Sequence, residues 1–120
     1  MVKEDIDNIK SQMRKGILEL CVLRILQRGE AYPSDIIKIL NEAKFIVVEG
    51  TIYTLLNRLR REGKLDYRWQ ESRQGPPRKY FYLTPFGLKT LSILNEAWKE
   101  ILMTVNYCAK PQNKIYEKDI

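Results

Sequence analysis

The sequence contains no histidine among its 120 residues. This absence excludes catalytic triads, general bases and zinc sites that depend on an imidazole. The two cysteines, Cys21 and Cys108, lack the spacing of a metal-binding pair, and we interpret both as buried free thiols in a reducing cytoplasm. No glycine-rich phosphate loop is present. The sequence therefore argues against an enzyme, and we expect no cofactor and no metal.

Long apolar runs are missing as well. No stretch approaches the ~20 apolar residues needed to cross a bilayer, and the N-terminal residues do not resemble a signal peptide. The 44% of hydrophobic and 30% of charged residues are typical of a globular chain. We therefore expect one cytoplasmic domain with a modest core and no membrane partner.

The most informative stretch begins at Gly50. Four apolar residues recur there at helical spacing and predict one buried stripe: Ile52, Leu55, Leu56 and Leu59. Gly63 then ends the helix, as glycine does just beyond a C-terminus. The opposite face is polar, and a short helix with such a face can enter a DNA major groove. We call this predicted helix the recognition helix.

Two strands are predicted directly after it. Residues 65–70 alternate between large and polar side chains, and residues 79–83 are β-prone on both faces. The intervening segment 71–78 contains Gly75-Pro76-Pro77, which predicts a stiff loop. Basic side chains lie in or beside it: Arg73, Arg78 and Lys79. Helix, strand, basic loop and strand follow in the order of a winged helix-turn-helix, so we predict a mainly α fold with a small β-wing.

Three segments precede the recognition helix. Residues 5–28 are predicted to form one helix that is apolar almost all round in its second half and must be covered on more than one side. Gly16 inside it suggests close helix packing. A further helix begins at Pro33, and residues 45–48 are either a small third strand or an apolar connector. Val48 cannot cap the recognition helix with its side chain.

A long helix is predicted to follow the wing. Thr84-Pro85 combines a capping hydroxyl with a proline at the first helical position, and the helix extends to about Cys108. Its apolar residues are spaced alternately by three and four, as in a coiled-coil seam: Leu91, Leu94, Trp98, Ile101, Val105 and Cys108. We interpret the seam as the interface of a homodimer shared with the first helix; the alternative is packing within the same chain.

These patterns divide the chain into three parts. Residues 1–84 form the winged helix-turn-helix part, residues 85–109 the dimerisation helix, and residues 110–120 a mobile tail. The net charge of +6 is uneven, because residues 49–79 contain eight basic and four acidic residues, whereas residues 1–48 contain eight basic and seven acidic ones. This basic edge predicts a polyanionic partner.

Several motifs together resemble the PadR family of bacterial transcriptional regulators. They are Gly50-Thr51-Ile52-Tyr53, then Arg78-Lys79-Tyr80, and then Leu83-Thr84-Pro85-Phe86-Gly87. The match extends in register from about Gly16 to Gly87, and the chain has the length of the small members. The resemblance implies a homodimeric repressor that binds a two-fold symmetric DNA operator and is released by a small apolar or aromatic effector.

Site residues follow from these positions. We predict DNA contacts from the recognition helix and the wing: Thr51, Tyr53, Thr54, Asn57, Arg58, Arg73, Arg78 and Lys79. Asn57 is the candidate for base readout, because its amide can pair with adenine, whereas Tyr53 meets a phosphate or packs beneath the wing. Leu91, Leu94, Trp98, Ile101 and Val105 are assigned to the dimer interface.

The effector is predicted to bind near Trp98, between Leu94 and Ile101. An indole packs poorly against its symmetry mate, which would leave an apolar gap between two subunits; alternatively, Trp98 fills the core against the first helix. Two other functions remain open. A winged-helix module for protein–protein assembly would carry an apolar or acidic wing, and a small-molecule binding protein would leave the basic edge without a purpose.

Overall fold

The computed structural model describes residues 1–112 and contains five helices and one hairpin in that range. The mainly α fold with a β-wing is confirmed. Residues 113–120, most of the predicted mobile tail, lie outside the described part. The elements follow the order α1 (Lys3–Arg14), α2 (Leu18–Arg28), α3 (Pro33–Glu42), α4 (Glu49–Arg61), β1 (Leu65–Ser72), β2 (Gly75–Leu83) and α5 (Pro85–Cys108).

The N-terminal segment is two helices, so the prediction of one helix over residues 5–28 was wrong. The helix is interrupted at residues 15–17, where Gly16 has a φ of 93°. Only glycine adopts this region readily, and a Cβ at Gly16 would meet no atom within 4 Å. Gly16 is therefore explained by its backbone conformation rather than by close helix packing. The apolar periodicity gave no sign of the break.

Helices α2, α3 and α4 build the core of the domain. The stripe predicted on α4 is buried as expected, with Ile52, Leu56 and Leu59 fully enclosed. These side chains pack with apolar residues of α2 and α3 in one cluster. The face of α4 that remains outside is consequently fixed by the core.

The ends of α3 and α4 agree with their local sequence. At the start of α3, the Tyr32 N–H donates to the Asp35 carboxylate at 3.0 Å, and Pro33 takes the first helical position. Val48 precedes α4 without a side-chain cap, as predicted. Residues 45–48 form no strand, so the connector interpretation is correct.

The hairpin is longer than the sequence indicated. β1 and β2 pair antiparallel from Leu65 and Leu83 to Ser72 and Gly75. The segment predicted as a loop, 71–78, is therefore mostly strand, and the turn is confined to Arg73 and Gln74. Both prolines are tolerated because the β-ladder irregularity lies at this end of the hairpin and the segment is solvent-exposed.

The other edge of β2 is tied to the helical body. Ala31 and Phe81 exchange two backbone hydrogen bonds of 3.0 and 2.9 Å. Phe81 itself is 2% exposed and belongs to the core cluster. This short bridge is the third strand segment of the wing, and it lies directly before α3 rather than at residues 45–48.

A tight joint connects α4, β1 and α5. The Thr84 hydroxyl accepts from the Gly87 N–H at 3.0 Å and donates to the Gly63 carbonyl at 2.6 Å. A Cβ on Gly87 would overlap the Lys64 carbonyl oxygen, so only glycine fits at this position. The start of α5 is thus held against the end of α4.

Helix α1 and the second half of α5 extend away from this core. The radius of gyration is 19.3 Å, whereas a compact domain of about 100 residues has about 13 Å. No residue of α1 is buried, and α5 buries only Gly87 and Leu91. The two helices consequently leave apolar side chains in solvent.

Candidate nucleic-acid interface

The outer face of α4 presents polar side chains next to the wing. Thr51, Thr54 and Asn57 are exposed, and Tyr53 is 44% exposed. The core fixes this orientation, because the buried stripe occupies the opposite side of the helix. All four residues thus lie on the surface where the sequence placed them.

A cleft of about 480 Å³ separates α4 from the wing. Tyr53 and Asn57 form its helical wall, and Pro77, Arg78 and Lys79 form the wall on β2. The structure therefore brings the helix and wing residues together, although at least 20 positions separate them in the chain. Pro33 and Ser34, at the start of α3, also line this cleft.

Aromatic rings position the cations of the wing. The Lys79 ammonium lies 4.5 Å from the centre of the Tyr67 ring, and the Arg78 guanidinium lies 5.3 Å from that of Tyr32. Such contacts hold a cation without neutralising it. Arg73 occupies the exposed turn of the hairpin. None of the three predicted wing cations has an ion-pair partner within residues 1–112.

Arg58 is engaged within the chain. Its guanidinium donates to Glu19 on α2 at 3.0 Å and to Glu62 at 3.0 Å. Lys64 completes the cluster, 3.2 Å from Glu19 and 2.9 Å from Glu62. The hydrogen bond that Arg58 donates to Glu19 raises the pKa of Arg58, and the hydrogen bonds that Glu62 accepts from Lys64 and then from Arg58 lower the pKa of Glu62. This pairing limits the reach of Arg58 towards a ligand, which the sequence did not indicate.

Two further basic residues of the helix and wing are paired. Arg60 contacts Asp66 at 3.2 Å, and Arg68 contacts Glu30 at 2.7 Å. Of the eight basic residues in 49–79, four have no ion pair within residues 1–112: Arg61, Arg73, Arg78 and Lys79. Glu19 and Glu30 thus form ion pairs with residues far away in the sequence, and no local motif could have predicted these pairs.

The predicted seam of α5 divides into two parts. Leu91 is 1% exposed and packs in the core of its own chain, which corrects its assignment to a dimer interface. Leu94 and Trp98 are half-buried against the same core. Ile101 and Val105 are exposed. The first residues of the seam therefore pack in the core of the single chain, and its later residues are exposed to solvent.

The cysteines differ from one another. Cys21 is half-buried, and burial raises the pKa of its thiol. Cys108 is exposed in the single chain, which corrects the expectation that both are buried. Within residues 1–112, no helix combines the length and the apolar character needed to cross a bilayer.

Comparison with known proteins identifies the fold and its family. Residues 22–93 match the transcriptional regulator PadR-like family. A PadR-like transcription factor from Bacteroides fragilis is 55% identical, with a TM-score of 0.72 over 85% of this chain and 99% of that one. A PadR-like transcriptional regulator from Bacillus cereus is 36% identical, with a TM-score of 0.76 over 84% and 99% of the two chains.

A PadR family transcriptional regulator from Eggerthella lenta superimposes with a TM-score of 0.81 at 27% identity, over 91% of this chain and 96% of that one. The matched residues include the whole recognition helix, the hairpin and the first turns of α5. The chain belongs to the PadR-like family of transcriptional regulators, which are not enzymes.

Proposed function

We propose that this regulator is a repressor that binds a two-fold symmetric DNA operator as a cytoplasmic homodimer and is released by a small apolar or aromatic effector. The observation that carries the DNA-binding part is the cleft between α4 and the wing. Asn57 lines this cleft together with Arg78 and Lys79, two cations that have no carboxylate partner within residues 1–112.

The proposed roles follow from these positions. Asn57 reads a base in the major groove, and Thr51 and Thr54 contact bases or nearby phosphates. Arg73, Arg78 and Lys79 hold phosphates of the DNA backbone or reach the minor groove. Tyr53, in the wall of the cleft, meets a phosphate or supports the wing. Arg58 holds α4 against α2 through its contact with Glu19. It contacts DNA when its guanidinium releases Glu62.

Homodimerisation is supported by the two extended helices. Ile6, Ile9 and Met13 of α1 are exposed, and so are Ile101 and Val105 of α5. Contiguous apolar surface of this kind marks an interaction site in a folded protein. In a dimer with two-fold symmetry, the recognition helices read half-sites whose centres lie about 34–36 Å apart, or a multiple of that distance.

An effector site at Trp98 is part of the same proposal. The indole packs on the core of its own chain with one side exposed, and Ile101 lies one turn further along α5. Two such surfaces facing each other would accept a flat apolar compound. Binding there would change the spacing of the recognition helices and weaken the operator complex.

The test of DNA binding begins with selection of bound duplexes from a random pool. On the selected site, Asn57→Ala should cost about 1–3 kcal/mol and relax the sequence preference. Lys79→Ala should weaken specific and random duplexes alike and lower the salt slope by about 1. Lys89→Ala, an exposed change on α5, is the matched control. Unchanged binding in both test variants would refute the proposed surface and favour a protein–protein assembly module.

The test of the effector uses Trp69→Phe, which leaves Trp98 as the only tryptophan. Planar apolar compounds are titrated while indole emission and duplex release are followed in parallel. A compound that releases the duplex should also change the emission of Trp98. Release without any change in emission would place the effector elsewhere.

A further inference from the structure

A second basic surface lies beside α4, away from the wing. A groove of about 700 Å³ separates α1 from the connector before α4. Asp7 is the one acidic residue among those that line it. Five cations line the same groove: Lys3, Lys10, Arg14, Lys15 and Lys44. We call these five the α1 surface.

The charge of the α1 surface is not neutralised by the described chain. None of its five cations forms an ion pair with a residue between 1 and 112. Arg14 lies over the Phe45 ring at 5.2 Å, which positions its guanidinium without a counter-charge. Within the described part of the chain, the α1 surface therefore has five cations without an ion pair, whereas the wing has three, Arg73, Arg78 and Lys79.

The α1 surface borders the DNA-facing side of α4. Thr51, a predicted DNA contact, lines its groove together with Val48. An adjoining cavity of about 760 Å³ continues past Gly16 to Thr54 and Arg58. Tyr53 and Asn57, at about 100° per residue, point to the other side of the same face, where the wing stands. The exposed face of α4 thus has a basic surface on each side.

Helix α1 has separate faces for the basic surface and for contact with a second subunit. Ile6, Ile9 and Met13 of this helix form one exposed apolar stripe, which Val2 extends directly before the helix. The groove-lining residues Lys3, Asp7, Lys10 and Arg14 repeat the same spacing one position later, so their stripe is rotated by about 100°. A partner subunit that covers the apolar stripe leaves the basic one at the edge.

We propose that the α1 surface binds the DNA backbone on one side of the major groove while the wing binds the backbone on the other side. The proposal rests on the proposed function, because it requires α4 to lie in the groove. A helix in the major groove, which is about 12 Å wide, is bordered by two phosphate backbones. Free cations on both sides of α4 match these two rows of negative charge. Phosphate contacts of this kind fix the register of the protein without reading sequence.

The test neutralises three exposed cations of the α1 surface together: Lys10→Gln, Lys15→Gln and Lys44→Asn. Asparagine is chosen at position 44 because Lys44 has a φ of 65°, which asparagine tolerates. The matched control removes three exposed lysines outside both basic surfaces: Lys38→Gln, Lys89→Gln and Lys99→Gln. Circular dichroism and thermal melting establish that both triple variants are folded, and sedimentation establishes that their oligomeric state is that of the wild type.

Duplex binding is then measured as a function of salt concentration for specific and random sequences. Each lost phosphate contact lowers the salt slope by ~0.9, so the α1 variant should lose about 2 to 3 from the slope for each bound subunit, and about 5 for a dimer, on both duplexes. The control variant should keep the wild-type slope. A wild-type slope in the α1 variant, with a reduced slope in Lys79→Ala, would overturn this inference and leave the proposed function intact.

Two other results have separate meanings. If the wild-type protein shows no salt-dependent duplex binding, the proposed function itself fails. If the α1 variant keeps its DNA slope but loses binding to poly-glutamate, the surface serves an acidic protein partner, and the inference is overturned. Loss of slope on DNA with unchanged sequence preference is the result that supports it.

Discussion

The two sides of α4 are built in opposite ways. The wing is anchored by the buried Phe81 and by its bridge to Ala31, and one of its four cations, Arg68, is paired with Glu30. Helix α1 buries no residue, and the cations that it turns towards α4 have no ion-pair partner within residues 1–112. Cations without an ion-pair partner in residues 1–112 are therefore found on both sides of the recognition helix, whereas the wing side alone is anchored in the core.

The difference shows why a count of charges along the chain is a poor guide to the charge on a surface. Residues 49–79 have a net charge of +4, whereas residues 1–48 have +1. However, Glu19 and Glu30 belong to the first segment and form ion pairs with Arg58, Lys64 and Arg68 in the second. The acidic residues counted in residues 1–48 thus neutralise cations of residues 49–79, and cations of the N-terminal segment are left without an ion pair in the described chain.

The largest expected effect concerns the anchoring of the wing. Phe81→Ala removes a fully buried ring and should lower the free energy of unfolding by about 3–5 kcal/mol. Ile9 on α1 is 47% exposed in the single chain, so Ile9→Ala should lower the free energy of unfolding by under about 1 kcal/mol in dilute, monomeric protein. Urea unfolding at low protein concentration measures both. Equal costs would contradict the contrast between the two sides.

Dimerisation should supply the packing that α1 and the end of α5 lack. Ile101→Asp with Val105→Asp places two charges on residues that are exposed in the single chain, so the fold should survive. In a buried interface the charges are costly, and the dimer dissociation constant should rise at least about 100-fold. Sedimentation measures the shift, with Lys99→Asp as the control. An unchanged dimer would place the interface elsewhere.

A smaller effect is expected at the cluster that ties α4 to α2. Glu19→Gln weakens the contacts to Arg58 and Lys64, and the partly exposed cluster should lose about 1 kcal/mol of stability. The same change removes one of the two carboxylates that these cations share, the other being Glu62, so the salt slope of DNA binding should rise by about 1 for each subunit. A stable variant with an unchanged slope would show that these cations do not face the DNA.

The smallest effect is the response to acid. Glu62 and Asp66 have pKa values below their ordinary values of 4.5 and 3.8, because Lys64 with Arg58, and the Tyr67 N–H with Arg60, bind their charged forms. Their stabilisation is complete above the ordinary values and is lost as the pH falls through the lowered folded values. The melting temperature should therefore decrease with acidification below about pH 5, and less steeply in Glu62→Gln. Parallel melting curves from pH 7 downwards would contradict this assignment.

Much of the fold could be predicted because its signals are local. The apolar stripe of α4, the proline start of α3 and the Thr84-Pro85 cap each act within one or two helical turns. The break at Gly16 was missed because apolar periodicity continues across it. The length of β2 was missed because Pro76 and Pro77 are normally loop residues, yet they stand on an exposed strand segment.

The site was predictable in its outline but not in its electrostatics. The polar face of α4 follows from the position of its buried stripe, so Asn57 and Thr54 could be placed on the surface from sequence. The pairing of Arg58 with Glu19 joins residues 39 positions apart and depends on how α2 crosses α4. Leu91 was misassigned for a related reason, because a seam spacing does not show which helix covers it.

The central claim is that α4 lies in the major groove between two basic surfaces. Hydroxyl-radical cleavage of the selected duplex tests it most directly, since it maps protection of each phosphate backbone. The wild-type complex should protect both backbones beside each half-site, the α1 triple variant should expose one of them, and Arg78→Ala with Lys79→Ala should expose the other. Protection of a single backbone in the wild-type complex, or loss at the same positions in both variants, would contradict the claim.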